Sequence, residues 1–326
     1  MTQLISLFNS AVTFGTIIMF GALGEIITEK GGQLNLGVPG IMYMGGISGL
    51  LAAFFYQRAG GSSPIVGLLL SLLACFLGAA FGGLIFALLT ITLRANQNVT
   101  GLALTIFGSG VANFFGGSLN KLSGGVGQIS VALTSNAYRA RIGALARAGD
   151  IGKLFFSYGF MAYLAIALAI ALAIYLNRTR SGLHLRSVGE SPSTADAAGI
   201  NVTKFKYLST CIGAGITGLG GLYYVMDYIK GTWANDGIIE GLGWLAVALV
   251  IFATWKPLRA IWASYLFGIV YWAYMYIPGL SRGSQELFKM LPYVVTLIVL
   301  IFVSLRKRHE DQPPASLGLS YFREER

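Results

Sequence analysis

Long stretches poor in charge alternate along the chain with short polar connections, at about 4–27, 36–57, 64–93, 97–118, 155–177, 207–227, 238–255, 260–281 and 288–305. Each approaches the ~20 residues that a helix needs to cross a ~30 Å hydrocarbon core. Backbone in lipid must satisfy its own hydrogen bonds, and no strand-like alternation runs through these stretches, so they are helices or broken helices buried against protein. The pattern predicts an all-α, polytopic integral membrane bundle of about nine crossings, between eight and ten, forming one domain over residues 1–326. Glu25 and Glu240 lie inside runs, each close enough to an end that its carboxylate is expected to reach an interface. Glycines spaced by four, such as Gly45 with Gly49 and Gly78 with Gly82, predict close helix packing.

Composition sharpens this reading. Only 11% of residues are charged and 55% are hydrophobic, against about 25% charged in soluble domains. A soluble fold of this length is excluded. Tyr56, Trp233 and Tyr276 sit near run ends, where amphipathic rings favour the headgroup level. The net charge of +10 comes from residues between the runs and forms no basic stripe, which argues against nucleic acid.

Lysine and arginine set the orientation. Five lie in the loop at 178–206, five in the tail from 306, and Lys30, Arg94, Lys256 and Arg259 fall on the same side, making 14 of the 23. That side is expected to be cytoplasmic; nine crossings would put the N-terminus outside, and a re-entrant pair or split helix among the runs would move it to the cytoplasm. The loop at 119–154 holds five more basic residues on the outer side and is expected to cap the bundle or partly re-enter it. The N-terminus lacks a basic region and a cleavage site, so the first run is read as a retained span. Cys75 and Cys211 lie inside runs as small apolar residues.

Catalytic and nucleotide-binding patterns are missing. GAGITG at 213–218 fits a dinucleotide fingerprint by spelling alone, because it lies within an apolar run and reads as helix packing. No phosphate-binding loop occurs, and His184 and His309 lack metal-ligand spacing. The centres of the runs hold no acid or histidine to relay a coupling ion, so an ion-coupled secondary transporter is the lesser alternative. In the 178–206 loop, Glu190-Ser191-Pro192 predicts a helix start, STADAA a short helix and Gly199 its stop.

Four stretches resemble one family. They are EKGGQLNLGVPGIMYMGG at 29–46, ANQNVTGLAL at 95–104, LRSVGESPSTADAAGINVTKFK at 185–206 and GLGWLAVALVIFATWKPLRAIWASYLFG at 241–268. They are similar to the permease subunits of bacterial ABC importers of the branched-chain amino acid and ribose type, and closest to the nucleoside or simple-sugar branch. Val38-Pro39-Gly40 departs from the Leu-Glu-Gly expected there. The resemblance implies a permease in the bacterial plasma membrane, not an enzyme. Its partners would be cytoplasmic ATPase subunits, a second and different permease chain, and an extracellular lipid-anchored binding protein. The chain itself would bind no cofactor, with ATP and magnesium held on the ATPase.

The same resemblance implies that Gly189, Glu190, Ala195, Ala198, Gly199 and Ile200 contact the ATPase, in a cytoplasmic coupling segment at about 178–206. Uncharged polar residues in or beside the spans are candidates for the path of a neutral solute: Gln33, Asn35, Asn96, Gln97, Asn98 and Asn113. Asp227, Trp233 and Asp236, in an outer segment rich in acid and aromatic character, are candidates for binding-protein docking.

Overall fold

The computed structural model describes residues 2–122, 130–141, 152, 154–233, 237–277, 279, 281–306 and 311–322. The described residues form helices and connections without strands. In chain order the helices are α1 (Thr2–Lys30), α2 (Val38–Arg58), α3 (Pro64–Ala87), α4 (Gln97–Leu122), α5 (Ala132–Tyr138) and α6 (Phe160–Arg178). Then follow α7 (Arg180–Glu190), α8 (Pro192–Ala197), α9 (Val202–Tyr223), α10 (Ile238–Phe252), α11 (Pro257–Trp272) and α12 (Arg282–Arg306).

Seven of these helices are long and apolar enough to cross a membrane, namely α1, α2, α3, α4, α6, α9 and α12. The runs at 238–255 and 260–281 emerge as the shorter α10 and α11, of 15 and 16 residues, about 22 and 24 Å at 1.5 Å per residue. What shortens them is the connection. Thr254 and Trp255 take left-handed φ of 52° and 55°, which ends α10, and Pro257 opens α11 where its missing N–H is harmless. A 3₁₀ turn at Ala273–Tyr276 then closes α11 well before residue 281.

The crossings alternate regularly. Trp255 Nε1 donates to Glu29 at the C-terminal end of α1, while Tyr276 OH donates to Ser6 Oγ (2.9 Å) at the other end, so α11 runs antiparallel to α1. Together α10 and α11 complete nine traverses and leave residues 2–6 and 311–322 on opposite faces. We call these the N-terminal face and the tail face. The cap expected from the 119–154 loop is present in its described part: α5 lies across the N-terminal face. There Gln57 donates to Thr134 (2.9 Å), Ser135 donates to the Met226 carbonyl (2.8 Å), and Tyr138 and Ser71 share a hydrogen bond (2.7 Å).

Burial ranks the layers. The most apolar window of α1 is 89% buried and that of α12 only 11%, so α1, with α2 and α9, is the spine and α12 lies at the rim. Small residues make the spine possible. A Cβ on Gly45 would stand 2.5 Å from the Cα of Gly218, so α2 and α9 touch backbone to backbone. GAGITG is this α9 contact surface, as its apolar setting predicted.

Candidate translocation and coupling site

Between α1 and α2 the chain turns back into the bundle. Gly32, at φ 81°, ends α1. Residues 33–37 then run unwound until α2 begins at Val38, which lies beside Gly21. Gly21 is nine residues before the end of α1, so α2 starts about 14 Å below the tail face. Pro39 is harmless here, because it falls in the first helical turn and packs on Gly243.

Unwound backbone at this depth is tolerated where protein or a cavity surrounds it, and here protein groups take most of its polar atoms. Leu34 N–H donates to Gln97 Oε1 (2.7 Å), Asn35 N–H to Glu25 Oε1 (3.0 Å) and Gly37 N–H to Asn35 Oδ1 (2.9 Å). Thr105 Oγ1 donates to the Leu36 carbonyl (3.1 Å), and Thr90 Oγ1 to Gln33 Oε1 (3.2 Å). This corrects the expectation for Glu25. Its carboxylate does not reach an interface but is 1% exposed, because the returning segment covers it and supplies the donor it accepts. Glu240 is exposed, as expected.

Of the six candidate path residues, Gln33, Asn35 and Gln97 therefore converge on the unwound segment. Asn96 caps α4, its side chain accepting from Val99 N–H (3.1 Å). Asn98 and Asn113 point out of α4 among exposed apolar residues such as Val99, Ile106 and Phe114. Gln97 Nε2 is buried without a partner among the described residues, which leaves a donor free beside the segment.

The coupling segment lies directly under this site. Thr179 caps α7 by accepting from Gly182 N–H (3.0 Å), Pro192 opens α8, and Gly199 at φ 81° stops it, as its sequence predicted. Val188, Ala195 and Val202 pack as one small core under Ile200 and Tyr321. A Cβ on Gly189 would stand 2.2 Å from the Lys30 carbonyl, so α7 rests on the last turn of α1 and on Gly32. Gly189 and Ala195 are buried, Gly189 against the end of α1 and Ala195 in the small core beneath the segment's surface. Glu190, Ala198 and Gly199 are exposed and Ile200 is half-buried. With Ser187, Ser191, Thr194 and Ala195 they border a groove of about 280 Å³, Gly199 excepted.

Residues 311–322 strap this segment to the rest of the tail face. Ser316 donates to the Gly189 carbonyl through both N–H (3.0 Å) and Oγ (2.5 Å), and Ala315 N–H donates to Glu190 Oε2 (3.2 Å). Tyr321 OH donates to Asp196 Oδ2 (2.9 Å), and the Arg94 guanidinium stands 4.5 Å above the Phe322 ring. At the strap's start Asp311 pairs with Lys256 (2.8 Å) and Arg259 (2.9 Å) from the α10–α11 turn, and the Lys256 hydrogen bond holds its carboxyl below the usual range. In the sequence the tail served only to mark orientation by its basic residues. Its signal was Tyr321-Phe322, two aromatic residues beyond the last apolar run.

On the N-terminal face Asp227 borders a polar cavity of about 330 Å³ with Thr13, Asn136, Arg139, Arg141 and Tyr158. Trp233 lies half-buried over Gly116, 6.4 Å from the Tyr43 ring, so it is packed into the bundle. Asp236 lies outside the described residues.

Several known proteins are similar to the chain along most of its length. The family described as branched-chain amino acid transport system / permease component matches residues 6–300. The guanosine ABC transporter permease protein NupQ of Bacillus subtilis is 32% identical over 99% of this chain and 99% of its own length. The nucleoside ABC transporter permease protein NupC of Lactococcus lactis subsp. cremoris is 32% identical over 88% of each. From the same organism, the nucleoside ABC transporter permease protein NupB is 24% identical over 90% of this chain and 78% of its own. No solved structure matches.

Proposed function

Because the chain belongs to the family of branched-chain amino acid transport system permease components, we propose that it forms the path by which a nucleoside enters the cell, driven by a separate ATPase. Membership makes it a transport subunit of an ABC system, not an enzyme, working with an ATPase and a substrate-binding protein. The nucleoside reading rests on the relatives' own substrates, with a simple sugar as its runner-up, and on the uncharged polar groups around residues 33–37.

One observation carries the coupling part. Gly189 of α7 abuts Lys30 and Gly32, the residue next to Gln33. A push on α7 and α8 therefore arrives at the unwound segment with no intervening element, which suits alternating access driven from outside the chain. Gly189, Glu190, Ala195, Ala198, Gly199 and Ile200 make up the ATPase-contact segment, with ATP and magnesium on that partner. The tail face is then cytoplasmic and the chain lies in the plasma membrane.

A second, different permease chain completes the path, as the presence of both NupC and NupB in one organism suggests. It covers the outer face of α4, where exposed Asn113 is costly against lipid. Asp227 and the segment following it receive the lipid-anchored binding protein.

The test is reconstitution with the ATPase, the second permease and the binding protein in liposomes. ATP-dependent uptake of labelled nucleoside, lost with Glu190→Ala plus Gly199→Pro, is the expected result. Uptake by the lone chain without ATP overturns it, and uptake of sugar but not nucleoside replaces the solute while keeping the mechanism.

A further inference from the structure

Where α9 begins on the tail face, a cavity of about 870 Å³ opens between the end of α3, the α8–α9 connection and the strap. Lys206 lines it. The residue is 2% exposed, and its ammonium has no acceptor among the described residues. A cation on a side chain this deeply buried is ordinarily paired, and the cavity is where its counter-charge would sit. Two further cations, Arg94 and Lys204, line the same cavity.

The backbone adds to the positive field. Asn201 Oδ1 takes the Lys204 N–H (2.9 Å), while the first turn of α9, Val202 and Thr203, faces the cavity with the positive end of a 22-residue helix. Asp196 is the carboxylate among the described lining residues, and it is occupied in accepting from Tyr321 OH. Gln33, whose Oε1 faces the Thr90 hydroxyl, stands close by as a neutral polar group. The rim is apolar on one side, where Ile91 and the exposed Leu208 continue into the membrane-facing surface of α3 and α9.

We propose that this cavity binds a phosphate-type anion, with Lys206 as its buried counter-charge and Arg94 and Lys204 closing over it. Two sources share that chemistry: the headgroup of an anionic phospholipid, reached across the Ile91–Leu208 rim, or a soluble phosphate. Basic pockets between spanning helices near a membrane surface suit the first. Binding here ties the end of α3 to the start of α9 and is independent of which solute the permease carries.

The experiment uses the full-length chain, stripped of lipid in a neutral detergent, with thermal melting as the readout. Inorganic phosphate is titrated against chloride at matched ionic strength, and phosphatidylglycerol against phosphatidylcholine. A saturable rise of several degrees with phosphate or phosphatidylglycerol is expected. Lys206→Met keeps the buried stem, so without anion it melts at or above the parent, and its apparent affinity for the anion falls at least tenfold. Arg94→Gln weakens binding less. A response to phosphatidylglycerol far exceeding that to phosphate assigns the lipid headgroup, and equal responses assign a soluble anion, both supporting the site. No saturable response to either probe, the result expected if only an acidic side chain of the ATPase fills the cavity, overturns the proposal. An unchanged response in Lys206→Met overturns it too.

Discussion

Single residues carry the unwound segment, and their loss is measurable. Gln97→Leu leaves the Leu34 N–H buried without an acceptor, which costs about 1–3 kcal/mol. The variant is expected to melt lower than the exposed control Asn98→Leu, and equal melting of the two in detergent would sink this account of residues 33–37. Gly189→Val is a harsher test. Its Cβ meets the Lys30 carbonyl at 2.2 Å, so α7 must lift off α1 and ATP-driven uptake should fall to background while the chain still reaches the membrane. Retained uptake would show that this contact does not transmit the push. The polar residues of this site were visible in the sequence as uncharged groups at run ends, but their partnerships were not. Glu25 shows why. Its distance from Glu29 and Lys30 along the helix was plain, whereas the covering segment comes from a chain reversal that leaves no trace in hydrophobic spacing.

At the scale of elements, the strap is what the sequence concealed. It follows a basic run, contains Pro313 and Pro314, and has no helical period, so composition alone reads it as solvated. Its binding depends on point contacts: a serine on a carbonyl, a phenol on a carboxylate, an aspartate between two cations. Stopping the chain after Arg306 should spare membrane insertion yet reduce ATPase co-purification and uncouple ATP hydrolysis from uptake. Full coupling in that truncation would remove the strap from the mechanism. Its anchor also has a pH signature. The folded Asp311 carboxyl is held below its ordinary value of about 3.9 by the Lys256 hydrogen bond, so its contribution is complete above that value and is lost as pH falls through the lowered one. Protease nicking of the strap is expected to stay constant at neutral and mildly acidic pH and to rise only in stronger acid. Asp311→Asn should nick faster at neutral pH and flatten that dependence.

At the scale of the whole molecule, nearly every apolar run became a helix within a few residues of its expected bounds, because run length and charge are what a bilayer selects. The departures came where protein replaces lipid as the surroundings, in α10, α11 and residues 33–37. Nine traverses place the two ends of the chain on opposite faces, so an impermeant thiol reagent on intact cells should label Thr2→Cys and spare Ser320→Cys. Labelling of both from outside would break the alternation. The strap finally bears on how the molecule is made. Residues 311–322 leave the ribosome after α1 to α12, yet Gly189 and Glu190 are joined to them. A chain that stops short of residue 311 lacks these bonds, so the α7–α8 segment would be left unfastened even with every helix before it in place.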